Sequence, residues 1–145
     1  MSEENIAASR RVLDEAFSKG NLDVIDEVCA EGYVNHDPIM GDQSADAVKE
    51  TISSYRAAFP DLSFTVDDIF AAGDKVVTRW TGSGTFENEF MGQAPTGEKG
   101  DPISGVGIDR YEDGKIVESW GQWDTLGFMR NIGAIPDTAS AAAGS

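Results

Sequence analysis

The chain has 145 residues with 11 Lys+Arg, 26 Asp+Glu and a formal net charge of −15. A single domain of this length removes roughly two-thirds of its unfolded surface from water, enough for a core with a small-molecule pocket. The negative field repels phosphate backbones and anionic lipid surfaces, so neither nucleic acid nor membrane is expected as a partner.

Residues 3–19 place Ile6, Leu13, Ala16 and Phe17 at three- and four-residue spacing among charges, and Gly20 follows as a stop. This predicts an amphipathic first helix. Asn21 caps a predicted second helix in which Leu22, Ile25, Val28 and Cys29 share a face, ending at Gly32. Cys29 is the only cysteine, so no intrachain disulfide can form, and one cysteine with one histidine cannot make a multi-His or Cys-cluster zinc site. No metal is expected. The N-terminus has no basic segment leading into an apolar run, and no stretch approaches the ~20 apolar residues of a membrane span, so a cytoplasmic location is expected.

Tyr33-Val-Asn-His-Asp-Pro38 breaks the helical period and reads as an extended connector carrying the only histidine, His36. Ser44 caps a third helix with Val48, Ile52, Tyr55 and Phe59 on one stripe, ended by Pro60. From there the period becomes two. Strands are predicted over 63–71, 75–86, 103–111 and 115–123, with a bend or bulge at Gly82 and Gly84 and a hairpin turn at Asp113-Gly114. A short closing helix begins at Thr125.

Three helices followed by about four antiparallel strands define an α+β domain with the helices packed on one sheet face. Residues 1–136 read as one domain and 137–145 as a low-complexity tail. The strands carry apolar groups on both faces, Val76 and Trp80 against Val77, for example. Helices cover one face only, so a homodimer is expected to cover the other.

Several landmarks in order resemble the SnoaL-like polyketide cyclases, within the group of folds related to nuclear transport factor 2 and ketosteroid isomerase. They are Tyr33-Val-Asn-His-Asp-Pro38, Tyr55-Arg-Ala-Ala-Phe-Pro-Asp61, Gly73-Asp-Lys-Val-Val77 leading to Trp80, Pro95-Thr-Gly97, and Asp113-Gly-Lys-Ile-Val-Glu118 followed by Trp120 and Trp123-Asp-Thr-Leu-Gly127. The resemblance implies a curved antiparallel sheet wrapped by helices into a cone, an α+β barrel with a largely apolar pocket at its open end. It implies intramolecular aldol condensation of a hydrophobic, carbonyl-bearing polyketide, with no metal or organic cofactor. It also implies that Asp124, on the last strand, is the acid/base. Where the family commonly has Glu-His-Trp, this chain has Glu118-Ser119-Trp120, and a serine cannot titrate near neutrality.

Enolisation needs a base and a donor near the developing enolate oxygen. Burial of Asp124 among Trp120, Trp123, Phe128 and Met129 would raise its pKa in the required direction; as an N-cap of the next helix it would stay at the surface. His36, the only side chain that ordinarily titrates near neutrality, is the expected polar assistant. Its neighbours Asn35 and Asp37 should point to the opposite side and are weaker candidates. Trp80, Trp120, Trp123, Phe59, Tyr33 and Met91 are expected to line the pocket, with Gln122 positioning Asp124 or a ligand carbonyl. Two alternatives stand beside this reading: a non-catalytic ligand-binding or dimerisation module, and epoxide-hydrolase-like water addition, which would bring Arg79 close to Asp124.

Overall fold

The computed structural model describes residues 2–135. Helix α1 (Ser2–Arg11) runs directly into a π-helical segment, Val12–Phe17; α2 (Asp23–Val28), β1 (Cys29–Asp37), β2 (Gly41–Gln43) and α3 (Ala45–Ala58) follow. Then come β3 (Ser63–Ala72), β4 (Lys75–Ser83), β5 (Ile103–Glu112), β6 (Lys115–Trp123) and the short α4 (Thr125–Asn131). The tail expected at 137–145 lies outside the described residues.

The α+β class and the helix-wrapped curved sheet are as anticipated, but the sheet is larger and mixed. It has six strands in the order β2-β1-β6-β5-β4-β3. The four predicted strands form an antiparallel meander, β3 to β6. Strand β1, anticipated in part as helix and in part as connector, runs parallel to β6, pairing Cys29 with Ile116 and His36 with Trp120. Helix α2 stops at Val28 because Cys29 turns extended, at φ −95° and ψ 141°. Gly32, which reads locally as a helix stop, instead takes φ +82° inside β1, where the register with β6 shifts. A partner strand distant in sequence decides this segment, which is why local periodicity assigns it to helix. Similarly, the bulges fall at Val66/Asp68 and Arg110/Tyr111 and not at Gly82 or Gly84.

Local chemistry fixes other joints as predicted. Ser44 Oγ accepts from the Ala47 amide at 3.2 Å and starts α3. Asp113 and Gly114 both take positive φ, 51° and 78°, between the paired Glu112 and Lys115, as a two-residue type I′ hairpin requires.

Two apolar clusters hold the domain. At the narrow end α1, α2 and α3 pack Val24, Ile25 and Ile52 against Val76 and Ile116 of the sheet. At the open end Phe59, Phe86, Phe90, Phe128 and Ile132 come together from α3, the 84–102 connection and α4. Fully buried side chains such as Ile52, Ile116 and Phe86 each contribute about 1.5–3 kcal/mol through removal from water. The 84–102 connection closes on itself through Phe86 N to Glu98 O at 3.1 Å and Gly97 N to Phe86 O at 2.8 Å, and is tied to the end of α3 by Glu87 N to Ala58 O at 2.9 Å. Between the two clusters the concave face remains open.

Candidate functional site

A cavity of about 210 Å³ occupies the concave face. Aromatic walls come from Phe17 of the π-helical segment, Tyr55 and Phe59 of α3, Phe64 and Trp80 of the sheet, and Trp123 at the end of β6. Glycine makes this arrangement possible at one point. A Cβ on Gly105 would overlap the Trp80 indole and lie 2.7 Å from Trp123 Cβ, so the two tryptophans pack over bare backbone.

Polar groups enter the cavity mainly from β1, β2 and α3. Asn35 Nδ2 donates to Gln43 Oε1 at 3.2 Å, and Gln43 Nε2 donates to Thr51 Oγ1 at 2.6 Å; all three side chains line the cavity. Asp37 lines it too. One oxygen, Oδ2, accepts the amides of Ile39 and Met40 at 2.9 and 2.8 Å, in the turn that follows β1. The other, Oδ1, accepts from Trp123 Nε1 at 3.2 Å. Three N–H donors thus fix the carboxylate, while Tyr55 stands near enough to feel its charge. Burial first, and the Asp37 charge second, push the Tyr55 hydroxyl well above the usual phenol range, so it stays protonated and available as a donor.

The residues expected from sequence divide cleanly. Phe59, Trp80 and Trp123 line the cavity. Tyr33 is buried but belongs to the narrow-end cluster, and Met91 is 50% exposed on the 84–102 connection. Trp120 and Gln122 occupy the opposite face of β6 from Gly121 and Trp123, because strand side chains alternate.

His36 is also on that outer face. Its ring stacks on Trp120 with centroids 5.7 Å apart, and its nitrogens sit 2.7 Å from Asp42 Oδ1 and from Glu118 Oε2. Glu118 most strongly, then Asp42, raises its pKa. Asp124 departs from the expectation of a buried acid. It is exposed, lies outside the cavity lining, and accepts the Gly127 amide at 2.9 Å as the N-cap of α4. The cap geometry draws its carboxylate towards the helix start and away from the tryptophans. Arg79 is 57% exposed and 3.8 Å from Asp67, far from any role beside Asp124 in the cavity. Two of the polar residues that enter, Asn35 and Asp37, have a readable signal: on an extended β1 they must face away from His36 if His36 faces out.

Among the described residues no group of three or more His, Cys, Asp or Glu side chains could hold a metal ion.

The sequence pattern of the SnoaL-like polyketide cyclases matches residues 7–132, and the chain belongs to that family. Solved structures agree. AclR from Streptomyces galilaeus, provisionally assigned as a hydroxylase, is 27% identical with a TM-score of 0.82, over 94% of this chain and 100% of that one. IdmH from Streptomyces antibioticus, provisionally assigned as a polyketide cyclase, is 30% identical with a TM-score of 0.76, over 89% and 98%. A SnoaL-like protein from Jannaschia sp. CCS1, at 23% identity and TM-score 0.82 over 93% and 95%, shares the fold. No curated protein matches the chain by sequence.

Proposed function

We propose that the protein is a small-molecule enzyme that removes a proton α to the carbonyl of a hydrophobic substrate, leading to aldol-type cyclisation or isomerisation. The observation that carries this reading is a carboxylate, Asp37, fixed by three N–H donors on the wall of an aromatic cavity beside a protonated Tyr55. In the proposed reaction Asp37 Oδ1 takes the α-proton and the Tyr55 hydroxyl donates to the oxygen that becomes the enolate. The enolate carbon then attacks a second carbonyl of the same substrate, whose alkoxide takes back the proton held by Asp37, or the conjugated enolate takes that proton at another carbon. Family membership supports the cyclisation branch. The cavity volume of about 210 Å³ favours a compact one- or two-ring ligand. Asp124 and His36 take structural roles in this scheme.

The test is deuterium exchange at the α-carbon of 2-tetralone in D2O, followed by NMR, together with the indole N–H resonance of Trp123 as a reporter of cavity occupancy. Wild type and Asp124→Asn should catalyse exchange and Asp37→Asn should not. Loss in Asp124→Asn with retention in Asp37→Asn would transfer the base to Asp124. Among the described residues no arginine lines the cavity, where water addition of the epoxide-hydrolase kind would call for one.

The outer face supports a homodimer. Phe70, Val77, Ile108 and Trp120 are consecutive cross-strand partners, forming an apolar row over four strands, with Phe70 49% exposed and Val106 beside the row 40% exposed. A second copy would cover this row. Sedimentation should give twice the chain mass, reduced to the monomer by Trp120→Glu. A cytoplasmic setting is part of this proposal, and burial pushes the Cys29 thiol up to about 12 and keeps it unreactive. Among the described residues no helix is long and apolar enough to cross a membrane.

A further inference from the structure

Behind the cavity, at the narrow end of the cone, lies an acid that the proposed reaction does not use. Asp109 projects from β5 towards the interior, with Val76 of β4 and Ser119 of β6 as its cross-strand neighbours. As a residue it is only half-buried, but its carboxyl group is enclosed by Ser9 of α1, Ser119 of β6 and the tyrosine cluster, and it is the enclosure of the group that governs its charge. Asp109 Oδ2 is 2.7 Å from Ser9 Oγ, and Oδ1 is 2.6 Å from Ser119 Oγ. Ser9 Oγ is also 2.8 Å from the Tyr111 hydroxyl, which in turn donates to the Asn5 carbonyl at 2.8 Å. Cys29 faces the same group from β1, and no lysine, arginine or histidine is among its hydrogen-bond partners.

The protons in this network can be counted. The Asn5 carbonyl can only accept, so the Tyr111 proton goes to it. Ser9 must then give its single proton to Tyr111, which leaves none for Asp109. The 2.7 Å contact between Ser9 and Asp109 Oδ2 is satisfied if the carboxyl group is the donor. The other oxygen needs no further proton, since Ser119 donates to Oδ1. From Asn5 to Ser119 there are four oxygen–oxygen contacts, and the three hydroxyls supply three protons, so the fourth must come from the acid.

We infer that Asp109 is held as a neutral carboxylic acid heading a one-way chain of donors, Asp109 to Ser9 to Tyr111 to the Asn5 carbonyl. This chain pins α1 to the sheet and thereby positions the cavity wall. The wall follows because α1 passes without interruption into the π-helical segment, whose Leu13 and Phe17 line the cavity. Asp109 is a positioning residue: it acts through the helix and lies outside the cavity lining. Burial, the leading cause, raises its pKa, the direction the proton count requires.

The sign of the pH effect follows. With a folded pKa above the unfolded one, the native state binds the extra proton, so the stability linked to Asp109 falls as pH rises from the ordinary carboxylate range to the raised value. Asparagine reproduces the neutral acid, its Nδ2 donating to Ser9 and its Oδ1 accepting from Ser119. The experiment uses the full chain. Carboxyl 13C resonances are followed from pH 3 to 8, with Asp109 assigned by its loss in Asp109→Asn, and thermal unfolding is followed over pH 4–8 in wild type, Asp109→Asn and Asp109→Ala. The Asp109 signal should keep its neutral-acid position above the ordinary carboxylate range, and Asp109→Asn should fold and gain on wild type as pH rises, where Asp109→Ala does not recover. The Leu13 methyl signals should move with the Asp109 titration in wild type and stay still in Asp109→Asn. An Asp109 carboxyl titrating near pH 4 overturns the inference, whether or not the variants fold. So does a Leu13 shift that persists unchanged in Asp109→Asn.

Discussion

The two faces of β1 and β6 give one pair of strands two unrelated chemistries. On the outer face His36 stacks on Trp120 and joins Asp42 and Glu118, with Arg110 completing the group at 3.2 Å from Glu118. On the concave face, one residue further along each strand or a few away, Asp37 meets Trp123 at 3.2 Å beside Tyr55. Both faces have a tryptophan, a carboxylate and a polar partner. They differ in surroundings: the outer charges are balanced in water and screened by salt, whereas the inner carboxylate sits against aromatic walls where a charge and a donor act strongly on a ligand. Residue type therefore identifies candidate groups, and strand parity decides which of them faces the cavity.

The largest expected effect of breaking this comparison is at Asp37. Asp37→Ala should lower α-proton exchange by about 10²–10⁴-fold, the usual contribution of a positioned general base. His36→Ala, changing the adjacent residue on the other face, should leave the exchange rate within about twofold. Equal losses in both would show that the two faces act as one unit.

Next in size is the aromatic wall. Gly105→Ala would place a methyl group 2.7 Å from Trp123 Cβ and into Trp80, at a cost of about 1–3 kcal/mol by overpacking, measurable by urea denaturation. Gly107, two residues along the same strand and on the same face, offers a sharp control. Its added Cβ would meet only the Trp120 carbonyl, at 3.9 Å, so Gly107→Ala should change stability much less.

Much of this was legible in the sequence. Helix α3, with its Ser44 cap, and the Asp113-Gly114 hairpin depend on local chemistry, and local chemistry predicts them. The family landmarks carried the fold. Strand β1 was not legible, because Cys29–Asp37 is extended through pairing with β6, a contact that no short window contains. The site residues suffered from the same gap. With β1 read as a connector, parity had no anchor, and the lone titratable histidine drew attention from Asp37. On β6 the register shift opposite Arg110/Tyr111 resets alternation, so Ile116 and Trp120 do not share a face as simple counting suggests. Asp124 shows a different limit. A carboxylate before a helix has two uses, and the cap geometry, the bond to Gly127, is a property of coordinates. Asp124→Ala should therefore cost about 0.5–2 kcal/mol of stability by loss of the cap and leave exchange activity unaltered, as chemical denaturation and the exchange assay would show.

The smallest effect belongs to the outer cluster and is visible only as pH dependence. Glu118, then Asp42, raises the His36 pKa, and His36, then Arg110, lowers that of Glu118. The His36 contribution is complete below the ordinary histidine value of 6.5 and is lost as pH rises through the raised folded value. The Glu118 contribution is present above the ordinary glutamate value of 4.5 and is lost as pH falls through the lowered folded value. The pair is therefore fully formed between those two ordinary values. The melting-temperature gap between wild type and His36→Ala should be widest there, close at alkaline pH, and shrink with added salt because the groups are accessible to solvent. A gap that stayed constant with pH and salt would mean that His36 holds this face through its stacking on Trp120 alone, leaving the charges of the outer face without a measurable part in the fold.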